Sequence, residues 1–286
     1  MAFDIQHFFH ESSGTLSYLV SDPDSKEAAV IDPVVGFSVV SGRLDQAPVS
    51  DIATAVREQG LTLRWILETH AHADHLSGAR YLQAELGGEI GIGAGIVQVQ
   101  SHFAGVFNLG SDFANDGSQF DRLFEDGDEV PLGAQSGRVI ATPGHTNDSV
   151  TYLFGDAAFI GDSMFAPDIG TARCDFPGGD AAELYSSIQK LLSLPPSTRF
   201  FLCHDYPPEG RELRVDVALE EQAKDNLHVG GGRSLEEFVA MREARDAQLS
   251  LPALILPAIQ VNIRAGDLPD AESNGVSYLK LPVDLL

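Results

Sequence analysis

Short apolar, β-rich runs, set apart by turn residues, dominate the first two thirds of the chain. "LSYLV" (Leu16–Val20) and "AAVID" (Ala28–Asp32) predict adjacent strands joined by the turn "SDPDSK". "SDIATAVREQG" changes to a helical period, with Ser50 as N-cap and Gly60 as stop. "LRWIL" (Leu63–Leu67) predicts a strand and "LSGARYLQAELGG" a helix ending at Gly87. Between Gly93 and Asp128 only "IVQVQSHFAGVF" has a helical pattern, and an acidic, glycine-punctuated loop follows it. "GRVIAT", "SVTYLF", "AAFIG" and "RFFLC" return to strands. "DAAELYSSIQKLLSL" (Asp180–Leu194) predicts a helix opened by the pair Asp180/Glu183. Helical patterns recur around Val215–His228 and Leu235–Leu249, the second with a capping box in Ser234 and Glu237. The proline-punctuated tail "LPALILPAIQVNIRAGDLP" predicts a segment packed back on the main body. With no short repeat and no low-complexity linker, the pattern describes one α/β domain over residues 1–214. Residues 215–286 form a helical and extended segment packed on it.

Composition changes this picture in one respect. The 286 residues suffice for a sizeable core, and 43% hydrophobic with 21% charged residues is ordinary for a globular protein. The formal charge of −24 is not. Such a surface repels nucleic acid and anionic membrane, and an anionic substrate needs a local basic pocket set against the global field. The first residues carry no basic, then apolar, signal pattern, and no apolar run approaches the roughly 20 residues that span a bilayer. Cys174 and Cys203 alone cannot build a disulfide framework, so a reducing cytoplasm is expected. Both read as small buried hydrophobes.

The chemistry concentrates where strands give out. "THAHADH" places His70, His72, Asp74 and His75 directly after one. His145 stands in "VIATPGHT", Asp162 in "AAFIGDS" and His204 in "FFLCHDY", each closing an apolar run. Strand ends project from one edge of a sheet, so four of them can converge on one cavity. Imidazoles with carboxylates are the ligand set for zinc, iron or manganese. A lone histidine after a strand is more often a packed residue, but five of the nine histidines lie at these ends together with two aspartates. His7, His10, His102 and His228 receive no role.

In order and spacing, "HAHADH", "PGHT", "GD" and "CHDY" resemble the metallo-β-lactamase superfamily over roughly Leu16 to Tyr206. The resemblance implies an αββα sandwich with a metal cleft between two sheets. "AVIDPV", Ala73 inside the histidine motif, "GDSMF", "TARCDF", "HDY" and the tail "LILPAIQVNIRAG" are further similar to the persulfide (sulfur) dioxygenases, bacterial longer type. That family oxidises glutathione persulfide with O2 to sulfite and glutathione at a single Fe(II). The resemblance puts the iron on His70, His145 and Asp162; a likeness to glyoxalase II implies glutathione contacts at Arg173 and Tyr206, and Arg211 and Arg214, close by in "EGRELR", are weaker candidates. It is compatible with a homodimer.

His72, Asp74, His75 and His204 complete a second ligand set, so a glyoxalase II-like thioester hydrolase with two zinc ions stands as the alternative. Glyoxalase II usually carries Trp where Ala73 stands. A metal-free binding protein on the same fold is the third reading, against which every ligand position of the pattern is filled.

Overall fold

The computed structural model describes residues 3–285. The chain opens with strands β1 (Asp4–His10), β2 (Thr15–Ser21), β3 (Glu27–Ile31), β4 (Val34–Ser38) and β5 (Arg43–Asp45), then helix α1 (Ala47–Glu58). Next come β6 (Thr62–Leu67), β7 (Leu76–Ser77), α2 (Ala79–Leu86), β8 (Glu89–Gly93) and α3 (Ile96–Val106). The second half contains β9 (Arg122–Phe124), β10 (Glu129–Leu132), β11 (Gln135–Ala141), β12 (Val150–Phe154), β13 (Ala157–Phe159) and α4 (Ala181–Leu192). It closes with β14 (Arg199–Phe201), β15 (Asp216–Ala218), α5 (Leu219–Asp225), α6 (Leu235–Asp246) and α7 (Ile255–Asn262).

Two six-stranded sheets, ordered β1-β2-β3-β6-β8-β9 and β10-β11-β12-β13-β14-β15, pack face to face, and helices cover both. The arrangement is the αββα sandwich of the metallo-β-lactamase fold. Period two makes it so, because alternate residues of one strand face opposite layers. Leu16, Tyr18 and Val20 of β2 enter the core between the sheets, while Leu19 joins Val30, Ile66 and the apolar faces of α1, α2, α3 and α7. Strands buried on both faces lack polar alternation, which is why the runs read as continuously apolar. Leu184, Ile188 and Leu191 of α4 with Phe238 of α6 pack into the core of the second sheet. A small third sheet, β5-β4-β7, lies at the edge.

Three local expectations are corrected. Ser50 is not an N-cap: Pro48 lets the helix begin at Ala47, and Ser50 Oγ instead meets Tyr81 Oη at 3.0 Å. The pattern around Val215–His228 is helical only from Leu219, since Asp216–Ala218 pairs antiparallel with β14 as an edge strand. The Asp180/Glu183 pair caps by half, Asp180 accepting from the Glu183 amide, whereas Ser234 and Glu237 form a full box. The tail forms α7, whose Ile255, Ala258, Ile259 and Val261 are buried. No helix among the described residues is long and apolar enough to cross a membrane.

Candidate metal centre

Each predicted ligand follows the C-terminal end of a strand. The loop Glu68–His75 leaves β6, His145 follows β11, Asp162 follows β13 and His204 follows β14. Neighbouring strands in each sheet bring these ends to one rim. Gly144 aims His145 inward: its φ is +134°, and a Cβ there would lie 2.2 Å from the Leu184 amide nitrogen.

The side chains meet in two groups. His70, His145 and Asp162 offer ligand atoms all within 4.8 Å of one another, and so do His72, Asp74, His75 and His204. Asp162 stands between them, its Oδ2 3.7 Å from His145 Nε2 and its Oδ1 3.4 Å from His204 Nε2. The His70 and His72 rings lie 4.1 Å apart, and His70 and His145 5.2 Å.

A set of buried carboxylates and carbonyls decides which ring nitrogens face inward. Thr69 Oγ1 donates to Asp32 Oδ2 at 2.9 Å and so accepts from His70 Nδ1 at 3.0 Å, leaving His70 Nε2 for the centre. His72 Nε2 donates to Asp32 Oδ1 at 3.0 Å, with Glu68 Oε2 at 3.4 Å, which leaves Nδ1. His145 Nδ1 donates to the Arg173 carbonyl at 2.7 Å, which leaves Nε2. The loop itself is pinned from below. Asp148 Oδ2 accepts from the Ala71 amide at 2.7 Å, and Asn262 Nδ2 donates to the carbonyls of His72 and His75 at 2.8 Å each.

Buried polar atoms without a partner are rare and ask for an explanation. Here His70 Nε2, His72 Nδ1, His75 Nε2, both nitrogens of His204 and Asp162 Oδ1 are all buried and unpartnered. Cations of the zinc or iron type take these donors, so the residues fit a metal centre. Electrostatics agree at His70, His75 and Asp74, while at His72, against burial, the flanking carboxylates favour the protonated ring. Burial holds His70 well below the ordinary imidazole range and His75 down to about 4, so both rings are neutral ligands at pH 7. Burial opposes ionisation of Asp74, but His204 and His75 overcome it and hold its carboxyl well down. Burial likewise opposes charge on His72, and Asp32 and Glu68 outweigh it.

His145, Asp162 and Asp74 also line a cavity of about 290 Å3, walled by Phe165, Ile169 and Tyr206. Of the predicted substrate contacts, Arg173 and Tyr206 lie on this wall. The Tyr206 ring stacks on His204 with centroids 5.8 Å apart. Arg211 and Arg214 do not line it: Arg211 is held by Asp205 and Asp168, and Arg214 by Glu221. A larger cavity of about 770 Å3, bordered by Arg80, Phe113 and Arg264, touches none of the ligands. Cys174 and Cys203 are buried free thiols, and burial pushes Cys174 up to about 12.

Sequence reasoning passed over Asp32, Glu68, Thr69, Asp148 and Asn262. Asp32 alone carries a local signal, since "IDPV" closes β3 with φ +49° at the aspartate. The others become significant only in space.

Residues 12–204 match the model of the metallo-beta-lactamase superfamily. The chain belongs to this superfamily. It is 49% identical to a probable metallo-hydrolase of Burkholderia pseudomallei over 99% of both chains. To the beta-lactamase hydrolase-like protein of Xylella fastidiosa it is 48% identical over 99% of its own length, spanning 65% of that relative. It is 32% identical to the mitochondrial persulfide dioxygenase ETHE1 of Homo sapiens, over 92% of this chain and 88% of that one. Among solved structures, ETHE1 from Myxococcus xanthus superposes with a TM-score of 0.73 at 31% identity, covering 93% of this chain and all of that one. The metallo-β-lactamase centre built above therefore has persulfide dioxygenases and metallo-hydrolases among its relatives.

Proposed function

We propose that the protein is a glutathione-dependent persulfide dioxygenase with one Fe(II) held by His70, His145 and Asp162. The observation that carries the reading is the two-histidine, one-carboxylate cluster, two of whose members line a cavity that also presents Arg173 and Tyr206. The kinship with persulfide dioxygenases supports it. The overall conversion takes one persulfide, one O2 and one water to one thiol, sulfite and two protons. The sulfur–sulfur bond breaks and the outer sulfur gives four electrons to O2.

Fe(II) would supply the redox chemistry and open coordination positions for this conversion. The chain's own residues do the rest. Asp32, directly and through Thr69, fixes which nitrogens of His72 and His70 point inward. The Arg173 carbonyl does the same for His145. Phe165, Ile169 and Tyr206 shape a largely apolar cavity that limits water around the reacting sulfur.

A second reading has its own observation. The unpartnered nitrogens of His72, His75 and His204 favour a two-metal centre, and with it a thioester hydrolase related to the metallo-hydrolases. Metal content per chain, oxygen uptake and sulfite formation with glutathione persulfide separate the two. About one iron with matched uptake and sulfite is expected. Two zinc ions, no uptake and hydrolysis of a glutathione thioester would replace the dioxygenase with the hydrolase.

A further inference from the structure

Three arginines line the cavity at the metal centre, and they differ in what they already hold. Arg173 forms a two-pronged pair with Asp175 and donates to the Ser250 carbonyl at 2.7 Å. Arg242 is buried, paired with Asp246, and donates to the Thr171 carbonyl at 3.1 Å. Arg245 is exposed and has no ion pair and no side-chain hydrogen bond among the described residues.

Of the fourteen arginines, eight are held in ion pairs among the described residues, and Arg245 is the one lining this cavity that is not. Its placement is fixed by the fold. Arg242 and Arg245 stand three residues apart on α6, so both turn to the same cavity, and Leu249 just beyond the helix joins them. α6 is rigidly seated: Ser234 and Glu237 cap its start, Phe238 is buried against α4, and Asp246 accepts from the Cys174 amide at 2.8 Å. Beyond the ligands Asp74 and Asp162, the cavity wall carries no carboxylate, and Phe165, Ile169, Leu249 and Pro252 make much of it apolar. The space is therefore acidic where metal binds, apolar along its walls and cationic at Arg245. Against a global charge of −24, that cation supplies the local attraction an anionic substrate needs.

We propose that Arg245 anchors a carboxylate of the thiol carrier, making α6 the element that selects carriers with a carboxylate remote from the sulfur. The proposal rests on the thiol-substrate reading above, and it extends the substrate contacts to a residue of the C-terminal segment. An exposed ion pair of this kind changes affinity by about two- to fivefold.

The test is glutathione binding by calorimetry to the protein purified with its metal, for wild type, Arg245→Ala and Arg245→Lys. Arg245→Ala is expected to weaken binding about two- to fivefold, with Arg245→Lys in between. In turnover, Arg245→Ala should raise KM for glutathione persulfide by the same factor and leave kcat within about twofold. KM for the persulfide of 2-mercaptoethanol, which has no carboxylate, should not move. Unchanged glutathione affinity in Arg245→Ala, an equal rise in KM for both persulfides, or no glutathione binding by the wild type overturns the proposal. A wild type that makes no sulfite from either persulfide, yet binds glutathione in an Arg245-dependent way, overturns the dioxygenase reading alone.

Discussion

Asn262 is the point where the C-terminal segment reaches the metal centre, and replacing it with alanine isolates that link. Its amide donates to the carbonyls of His72 and His75 and accepts from the Ser77 amide, all at 2.8 Å and all buried. Three hydrogen bonds at about 1 kcal/mol each give roughly 3 kcal/mol, and stranding the buried carbonyls pulls toward about 4. A water admitted to the vacated space would hold the loss nearer about 2. At about 2–4 °C per kcal/mol for a chain of this size, the metal-free variant should melt about 4–16 °C lower. The loop is also what aims two ligands, so metal affinity should fall about 10–100-fold, as for other residues that orient ligands. Scanning calorimetry on metal-free and metal-loaded protein measures the first effect, and competition with a chelator the second. The gain in melting temperature on loading should shrink in the variant, because weaker binding contributes less stabilisation at a given metal concentration. A variant that melts lower but binds metal like the wild type would refute the positioning argument and leave Asn262 a structural residue only.

Three further outcomes follow from the same geometry. Asp32→Asn keeps the shape but removes the charge that accepts from His72 Nε2 and Thr69 Oγ1; metal affinity, read by chelator competition, should fall about tenfold or more, and wild-type affinity would contradict it. His204→Ala removes a member of the second cluster only, so under the dioxygenase reading about one iron per chain remains by elemental analysis, whereas His145→Ala loses it. His228 gives a pH dependence away from the ligands: burial and the neighbouring Arg242 lower it to about 4, and its Nδ1 accepts from the Thr171 amide at 2.9 Å. The unfolded chain therefore binds the extra proton first, so this contribution is complete above about pH 6.5 and is lost as pH falls toward 4. Urea midpoints at pH 7 and pH 5 should differ less in His228→Gln than in the wild type, and equal differences would remove His228 from the account.

The strands and the ligands were legible for the same reason. β2, β3 and β12 to β14 are buried runs, β6 and β11 alternate before turning buried, and the candidate ligands sit where such runs stop. Ser50 misled because serine before a helical period is a strong capping signal, yet Pro48 two residues earlier already starts the turn. Asp216–Ala218 misled because three residues are too few for a period, and only the open edge of β14 makes them a strand. Arg211 and Arg214 read as substrate contacts from their nearness to Tyr206 in sequence, while in space Asp205, Asp168 and Glu221 claim them. Eight of the fourteen arginines are taken up in such pairs among the described residues.

The residues beneath the ligands were illegible for a more general reason. Asp32, Glu68 and Asp148 lie in three different segments and have no shared spacing, but all three are buried around one eight-residue loop. Burial pushes Glu68 and Asp148 up, so keeping carboxylates there is costly unless each is given several partners. Asp32 takes the Thr69 amide and hydroxyl and His72, and Glu68 takes Ser77 and His72, whereas Asp148 takes the Ala71 amide on one oxygen only. The cost is accepted because a lone imidazole rotates and swaps tautomers, whereas one clamped from behind presents a single nitrogen. Ligand identity is thus written in local motifs, and ligand orientation in contacts between distant segments. For that reason the residues that clamp the imidazoles from behind, more than the seven candidate ligands themselves, set the choice between one iron and two zinc ions.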